Sequence, residues 1–298
     1  MNKTIILPSF IFAMILLAGC SRPPSGNVSL PEIGSTRVSS MDGMSMVYVP
    51  EGRFIMGSEF GLTDEQPQHE VFLDAYWIDL TEASNGMYRQ CVADKKCDNP
   101  ESTIFFDDTD YRDHPAVFVS WEDAQNYCAW AGRRLPTEAE WEKAAIWDPN
   151  TNEQRTYPWG GKYDCRMGNF DDELSLDASI MPDTNEGCDG FVGSAPAGSF
   201  PESTSPYGAL DMGGNVWEWV HDAFIEVDPL GSSVQNYYAI SPDSNPQGVD
   251  PEITVYRVVR GGSWSTMFGF GRGAYRLWYG LDEIHDDVGF RCALPAVP

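Results

Sequence analysis

The stretch at 208–220, which reads GALDMGGNVWEWV, places oxygen-bearing side chains next to glycines and tryptophans. Asp211, Asn215 and Glu218 supply carboxylate and amide oxygens there, and the glycines allow backbone turns that other residues cannot make. Oxygen atoms that such a turn brings together suit a hard cation such as calcium. The spacing also fits a glycine-rich turn that leads into an aromatic strand, and on spacing alone we favour that simpler structure.

Iron chemistry is a second possibility that the residue types allow. The chain has four histidines, and two of them adjoin carboxylates, in His221-Asp222 and His285-Asp286-Asp287. A two-histidine, one-carboxylate iron site uses such groups, although surface loops explain these residues more simply. The sequence has no GxSxG motif, no phosphate-binding loop and no dinucleotide fingerprint.

Composition narrows the class of protein. The 298 residues are 42% hydrophobic, which is enough for a sizeable core, and we expect one domain over residues 41–298. Ten tryptophans, 28 glycines and 21 prolines predict many turns and few long helices. The net charge of −26 argues against nucleic acid and anionic membrane surfaces as partners.

The N-terminal segment is typical of an exported protein. Lys3 precedes an apolar run at 5–18, which is short for a membrane span and has the shape of a signal peptide. The run ends in Leu17-Ala18-Gly19-Cys20, which resembles a bacterial lipobox. We therefore expect residues 1–19 to be a signal peptide and Cys20 to be lipidated, with an ordinary secretory signal as the alternative.

The residues after Cys20 bear on localisation. Ser21 stands where an aspartate would retain a lipoprotein in the inner membrane, so the sequence predicts anchoring in the outer membrane or at the cell surface. Residues 20–40 are polar and contain proline, glycine and serine, which predicts a flexible tether between the anchor and the domain.

The cysteines fit this exported location. Besides Cys20 there are six, an even number that suggests disulfides in an exported chain. Cys91 and Cys97 flank a short polar segment and are expected to pair with each other. Six cysteines allow fifteen pairings, and spacing leaves the other pairs open. The absence of a CxxC motif argues against a zinc or thioredoxin-type site.

The strands that must position these groups are short. Alternating apolar residues at 44–50 and 52–57, on either side of a Pro-Glu-Gly turn, predict a hairpin. Further strands are predicted at 71–80, 255–259 and 288–294.

Capping residues predict three helices. Ser84 is expected to cap one helix that runs to about Val92. Ser120 with Asp123 and Thr137 with Glu140 resemble capping boxes. These two boxes open helices that end before Gly132 and near Ile146. Trp141, Ala144 and Ala145 form the apolar stripe of the third helix.

Five stretches together resemble the sulfatase-modifying-factor, or formylglycine-generating-enzyme, family. They are MVYVPEGRFIMGS, HPAVFVSWEDAQNYCAWAGRRLPTEAEWEKAA, GALDMGGNVWEWV, RVVRGGSW and VGFRCAL. They occur in the order of the family and cover nearly all of 44–294. The resemblance implies an irregular, loop-rich α+β domain with a C-type-lectin-like fold.

The resemblance also implies two calcium sites. The positions similar to the first site are Asn169, Phe170, Asp189 and Phe191. The positions similar to the second are Asp211, Gly214, Val216 and Glu218. The phenylalanines, the glycine and the valine would contribute backbone carbonyls. Position 211 is asparagine in the family, and aspartate also offers a side-chain oxygen with added charge.

Disulfide pairing follows from the resemblance as well. The family pairs cysteines at the positions of Cys128 and Cys292, which leaves Cys165 and Cys188 as the remaining pair.

One departure from the family concerns its chemistry. The oxidising members bind copper through two cysteines after the RGGSW-like motif, and those positions are Thr266 and Gly271 here. Neither residue offers the thiolate that holds Cu(I), so we expect no copper and no formylglycine formation. Ser263 matches an active-site serine of the family, but alone it is explained as a turn residue.

Two functional hypotheses remain. The first is a surface-anchored, calcium-stabilised, non-catalytic lipoprotein that binds a peptide, protein or glycan in the former active-site groove. The expected groove residues are Arg260, Ser263, Trp264, Phe268, Phe270, Arg272, Tyr275, Arg276 and Trp278. About half of these aromatic residues are expected in the core. The alternative is an oxidoreductase that modifies a protein or small molecule through a non-cysteine iron site.

Overall fold

The structure is a computed structural model that describes Met1 and residues 31–171, 188–225 and 237–296. The predicted lipidation site Cys20, nearly all of the predicted signal peptide and the first part of the tether lie outside these residues. Within the described ranges, no helix has the length and apolar character needed to cross a membrane.

The three longer helices begin at the predicted caps, and a fourth, short helix was not predicted. Their bounds are α1 Asn85–Ala93, α2 Trp121–Trp130, α3 Glu138–Ile146 and the four-residue α4 Tyr237–Ile240. Ser84 accepts a hydrogen bond from the Met87 amide, and the two predicted capping boxes are both formed. Each cap pairs an amide that has no partner inside its helix, so the three predicted helix starts are confirmed.

The strands are short and are numbered in chain order. Those in the described ranges are β1 Thr36–Val38, β2 Ser45–Val49, β3 Gly52–Met56, β4 His69–Leu73, β5 Tyr76–Asp79, β6 Trp147–Asp148, β7 Glu153–Gln154, β8 Trp217–Ala223, β9 Tyr256–Arg260, β10 Leu277–Gly280, β11 Val288–Phe290 and β12 Ala293–Pro295. One antiparallel sheet has the order β1-β2-β5-β12. A second sheet has the order β10-β9-β8-β11, in which β8 and β11 are parallel. Two two-stranded sheets, β3-β4 and β6-β7, complete this α+β arrangement.

The predicted hairpin at 44–57 is wrong in its pairing. Both strands exist, but β2 pairs with β1 and β5 while β3 pairs with β4. Because β2 has a neighbour on each of its edges, it leaves no edge for β3. The predicted strands at 71–80 and 288–294 are each divided in two, and their halves lie in different sheets.

Helix α3 lies at the centre of the domain. All nine of its residues are buried, and it contacts β3, β4, β6, β8 and β9. The predicted apolar stripe is part of the core, but the charged side chains on the other faces are buried too. Arg260 and Arg276 from later in the chain pair with Glu138, and Arg260 also reaches Glu142. These buried ion pairs place the region after β9 against α3.

Three disulfides are present in the described part of the chain. They join Cys91 to Cys97, Cys128 to Cys292, and Cys165 to Cys188, as predicted. The second of these ties α2 to the segment between β11 and β12. It lies in an apolar cluster that includes Tyr127, Trp219 and Phe290.

Candidate functional site: two oxygen-rich loops and an aromatic face

The turn before β8 has the backbone form that its glycines predicted. Asp211, Gly214 and Asn215 have φ angles of 55°, 92° and 69°, so three of its residues lie in the left-handed region. The Asn215 side chain fixes the turn internally. Its oxygen accepts from the Ala195 amide at 2.8 Å, and its nitrogen donates to Glu82 Oε1 at 2.9 Å.

A second oxygen-rich loop touches this turn directly. The Asn215 amide donates to the Asn169 carbonyl at 2.8 Å, and the Asn169 side-chain nitrogen donates to Asn215 Oδ1 at 3.2 Å. The Asn169 nitrogen also donates to the Gly193 carbonyl at 2.8 Å. The two sets of residues that the resemblance assigned to calcium are therefore neighbours.

Asp189 assembles the first set. Its Oδ2 accepts from the Phe170 amide at 3.0 Å, and its Oδ1 accepts from the Phe191 amide at 2.9 Å. This brings Asn169, Phe170, Asp189 and Phe191 together. Because each carboxylate oxygen has more than one lone pair, these bonds leave Asp189 able to ligate a hard cation.

The second set is assembled only in part. Asp211, Gly214 and Val216 lie in the buried turn, but the fully buried Glu218 carboxylate is occupied by other groups. Arg291 donates two hydrogen bonds to this carboxylate, from Nε to Oε2 at 2.6 Å and from Nη2 to Oε1 at 2.7 Å. Trp141 Nε1 adds a hydrogen bond of 2.8 Å. Glu218 thus pairs with Arg291 inside the core, and its role as a calcium ligand stays a prediction.

Glu82 is a buried carboxylate at this turn to which the sequence analysis gave no role. It is fully buried, its Oε1 accepts from the Asn215 side chain, and its carboxyl group is hydrogen-bonded to that of Asp211. Burial and the neighbouring Asp211 carboxylate raise the pKa of Glu82 well above its ordinary value. The sequence offered one signal for this residue, which is its position three residues after strand β5 and two residues before the Ser84 cap.

The two positions that match the family's copper cysteines, Thr266 and Gly271, are each taken up by other contacts. The Thr266 hydroxyl accepts from the Ser263 amide at 2.9 Å and donates to the Ser263 carbonyl at 3.0 Å, so it serves its own turn. At Gly271 there is no room for a side chain, because the Phe170 ring lies against it. The space for the second cysteine is occupied by an aromatic residue from the first calcium set.

Several predicted groove residues do not line a surface, and this part of the groove prediction is corrected. Arg260 and Arg276 are buried, and their guanidinium groups are paired with α3 carboxylates. Ser263 is also buried and donates to Asp287 Oδ2 at 2.7 Å. The arginines are held inside because a buried carboxylate without a cation is costly.

Half-buried rings form a separate cluster, which we call the aromatic face. It consists of Tyr163, Phe268, Phe270 and Tyr275. Tyr163 stacks on Phe268 with ring centroids 3.9 Å apart, and Phe270 meets Tyr275 at 4.9 Å. Phe268 and Phe270 share the short 3-10 helix Phe268–Gly271, which joins the two pairs.

The remaining predicted groove residues lie around or apart from this face. Arg272 lies over the Tyr275 ring and pairs in bidentate fashion with the buried Glu65, at 2.8 and 2.6 Å. Trp264 is half-buried just before the aromatic face in sequence. Trp278 packs instead on Phe224 and Tyr256, with centroids at 5.6 and 4.4 Å.

A polar pair that the sequence analysis missed lies beside Ser263. Ser265 is partly exposed and donates to Asp287 Oδ2 at 2.6 Å, the same oxygen that Ser263 contacts. Asp287 was considered in the sequence only as part of an iron motif. Its neighbour His285 instead lies against the Tyr279 ring, at 4.1 Å between centroids.

The four histidines contact different parts of the fold. His69 lies against Tyr238, His114 contacts Ser194, and His221 lies near Trp121. In the portion of the chain that the structure describes, no three or more His, Cys, Asp or Glu residues form a group that could hold a metal ion. A cation at either calcium set would therefore depend on amide and backbone oxygens beside the carboxylates.

Several known proteins share this sequence pattern over most of the present chain. The bovine (Bos taurus) formylglycine-generating enzyme is 30% identical over 305 residues, covering 85% of this chain and 75% of that protein. The mouse (Mus musculus) protein named inactive C-alpha-formylglycine-generating enzyme 2 is also 30% identical, covering 85% and 86%. The serine/threonine-protein kinase pkn1 of Chlamydia caviae is 32% identical over 83% of this chain. The matched region spans only 37% of that kinase.

Solved structures agree on the fold. PvdO from Pseudomonas aeruginosa matches with a TM-score of 0.68 and 24% identity, covering 89% of this chain and 99% of that one. The fold is thus the irregular, C-type-lectin-like α+β fold that the resemblance implied. The family model described as "Sulfatase-modifying factor enzyme 1-like domain" matches residues 33–296. The chain therefore belongs to the sulfatase-modifying-factor, or formylglycine-generating-enzyme, family.

Proposed function

We propose that this protein is a lipid-anchored, calcium-stabilised binding domain that holds a peptide, protein or glycan at its aromatic face and does not use copper. The observation that carries the proposal is the contact between Phe170 and Gly271. It supports the absence of copper chemistry independently of the missing thiols, because the ring fills the space that a ligand side chain would need.

Calcium binding is supported by the chemistry of the first set. Asp189 is held by two backbone amides next to Asn169, and oxygen donors of this kind suit calcium rather than a soft metal. When bound, calcium would supply charge neutralisation for the two loops and no chemical step. Asn169 and Asp189 would hold it, together with the carbonyls of Phe170 and Phe191.

Ligand binding is supported by the aromatic face. Exposed portions of stacked rings offer apolar area at little cost in side-chain entropy, which suits the faces of sugars and the side chains of peptides. Tyr163 and Phe268 are both half-buried and mutually stacked, so their orientation is fixed before a ligand arrives.

Anchoring and export rest on the lipobox-like Cys20. The three disulfides are consistent with an oxidising compartment outside the cytoplasm. Lipidation would place the domain on a membrane through a tether of about 20 residues.

A metal inventory of the purified protein by elemental mass spectrometry tests the metal part. We expect about two calcium ions per chain and neither copper nor iron. A chelator should lower the melting temperature. Asp189→Ala should weaken calcium binding more than the control Asp172→Ala. Stoichiometric iron or copper would instead favour an oxidoreductase. One relative of this chain is named hercynine oxygenase, and its name is the reason to test this alternative.

A glycan and peptide array tests the binding part. The purified protein should retain ligands of one class, and Phe268→Ala should abolish that signal. Ile253→Ser is the matched control, because Ile253 is an exposed apolar residue that is not part of the aromatic face. Equal signals from both variants, or no retained ligand of either class, would contradict the proposed binding role.

A further inference from the structure

A surface pocket lies between the end of α1 and the outer face of α2. Its volume is about 610 Å³, which is typical of a site for a small molecule. It contains no residue of the two calcium sets or of the aromatic face. We call it the α1–α2 pocket, and its lining residues are Met41, Asp94, Lys96, Asn126, Ala129 and Trp130.

The segments that line this pocket are each held in place by contacts inside the domain. The disulfide at the end of α1 closes the loop that carries Asp94 and Lys96. Met41 is followed by the buried Asp42, whose carboxylate accepts from the Tyr127 hydroxyl of α2 at 2.7 Å. The pocket is therefore formed before a ligand arrives, which lowers the entropy cost of binding.

Trp130 is the apolar platform of the pocket. Its Nε1 donates to Asp94 Oδ2 at 3.0 Å, and its ring centroid lies 5.4 Å from that of Tyr127. These two contacts fix the orientation of a ring that remains partly exposed. Asn126 precedes it by four positions and so lies on the same face of α2. A fixed indole beside polar groups suits a ligand that has one apolar face.

Three polar side chains line the rest of the pocket. Asp94 keeps its second carboxylate oxygen as an acceptor, Asn126 can both donate and accept, and Lys96 offers three donors. The side chains of Asn126 and Lys96 have no partner in the described part of the chain. Donors and acceptors around an aromatic ring match a ligand that carries several hydroxyl groups, such as a sugar.

The charge of Lys96 selects among such ligands. Lys95 and Lys96 are adjacent and exposed, in a chain whose net charge is −26. The other adjacent cations, Arg133 and Arg134, are paired with carboxylates, whereas Lys96 forms no ion pair with any described residue. An unpaired ammonium group beside the platform favours a ligand with a negative charge.

We propose that the α1–α2 pocket binds a sugar unit that carries a carboxylate, of the uronate class. The apolar face of the sugar stacks on Trp130, its hydroxyls pair with Asp94 and Asn126, and its carboxylate lies at Lys96. The proposal depends on neither calcium nor the aromatic face. One indole and three polar partners correspond to a Kd on the order of 1 mM.

Saturation-transfer NMR on the purified full chain tests the proposal, because it detects binding this weak. The probes are galacturonate and glucuronate, with galactose and glucose as their neutral counterparts. At least one uronate should bind about 10-fold more tightly than its neutral counterpart. The strongest transfer should reach the C–H protons on the apolar face of the sugar. No transfer to either uronate, or equal binding of the neutral sugars, would overturn the proposal.

Two variants place the sugar in the pocket. Trp130→Ala removes the platform and should weaken uronate binding about 10-fold. Ala129→Glu is the second variant should Trp130→Ala fail to fold, because it adds volume and negative charge at an exposed helix position. Gln125→Glu is its matched control, since Gln125 is exposed on α2 but does not line the pocket. Equal losses in the two glutamate variants would contradict the assignment.

Two further variants test the charge and the location. Lys96→Gln should abolish the preference for uronates over neutral sugars, and a retained preference would exclude Lys96 as its source and overturn the proposed ligand class. Phe268→Ala alters the aromatic face and should leave uronate binding unchanged. Loss of uronate binding in Phe268→Ala but not in Trp130→Ala would place the sugar on the aromatic face. That result would overturn this inference and support the proposed function.

Discussion

The Phe170 ring lies directly against Gly271, in the space that any larger side chain at position 271 would need. The ring also borders Gly168 and Gly214, where an added Cβ would lie 2.7 and 3.0 Å from Phe170 Cε2. Three glycines from separate segments thus surround one ring. The position that matches the family's second copper cysteine is thus part of the packing around the Phe170 ring.

Gly271→Ala should lower the free energy of unfolding by about 2 kcal/mol, because the new methyl group overlaps the Phe170 ring. Gly269→Ala is the matched control, since a Cβ there meets no atom within 4 Å. Urea denaturation measures both. The loss at position 271 should shrink in a Phe170→Ala background, and equal losses at 269 and 271 would contradict the packing argument.

Two Arg–Glu pairs of different exposure should contribute differently to the free energy of unfolding. Arg272→Gln leaves the buried Glu65 without its cation and should cost about 3 kcal/mol of unfolding free energy. Arg53→Gln breaks a pair whose side chains are 56% and 54% exposed, and it should cost about 0.5 kcal/mol. The comparison uses the same substitution in the same assay. Similar costs would show that Arg272 does not neutralise Glu65.

The disulfides should contribute according to the chain length they close. Cys128 and Cys292 are 164 residues apart, so Cys128→Ala with Cys292→Ala should remove about 5 kcal/mol of stability on the chain-entropy model. Cys91 and Cys97 are six apart, and removal of that bridge should cost about 2 kcal/mol. Denaturation of the two double variants checks the order. A larger loss from the short bridge would contradict it.

Stability should fall as the pH rises through neutrality. Burial, together with the nearby Glu138 carboxylate, raises the pKa of Asp222 in the folded protein from 3.8 to about 8. Between these values the folded state holds a proton that the unfolded chain has lost. The free energy of unfolding therefore decreases with rising pH across this window and levels off above it.

Asp222→Asn tests this dependence. Asparagine can still accept the Glu138 amide, which lies 2.8 Å from Asp222 Oδ2, but it does not titrate. Urea denaturation at about pH 5 and about pH 8 should show a smaller difference in stability for the variant than for the unmodified protein. An unchanged pH slope would exclude Asp222 as its source.

Local signals in the sequence were sufficient for the three longer helices but not for the short α4. Each of these three helices is capped by a side chain that accepts a hydrogen bond from the amide three residues later; the caps are Ser84, Ser120 and Thr137. Because both partners are close in sequence, a local pattern is enough to predict the contact. Strand pairing was harder to predict from the sequence. The partner of β3 is β4 and not its sequence neighbour β2, because that choice depends on β1 and β5 occupying both edges of β2.

The candidate site was predictable only where a motif carried it. The motif resemblance placed Asn169 and Asp189 in one set, and the structure brings them together. Glu82 and Arg291 are more than 200 residues apart, so no local pattern could show that they share one buried region. For the same reason the sequence could not show that Arg276 pairs with Glu138 in the core, and Arg276 was wrongly expected to line the groove.

Strands β11 and β12 couple the two four-stranded sheets. β11 lies at the edge of one sheet and β12 at the edge of the other, and only Arg291 and Cys292 lie between them. Because so short a connection allows little independent motion, separation of β12 from its sheet should disturb β11 as well. The two sheets should therefore open together as one cooperative unit rather than one after the other.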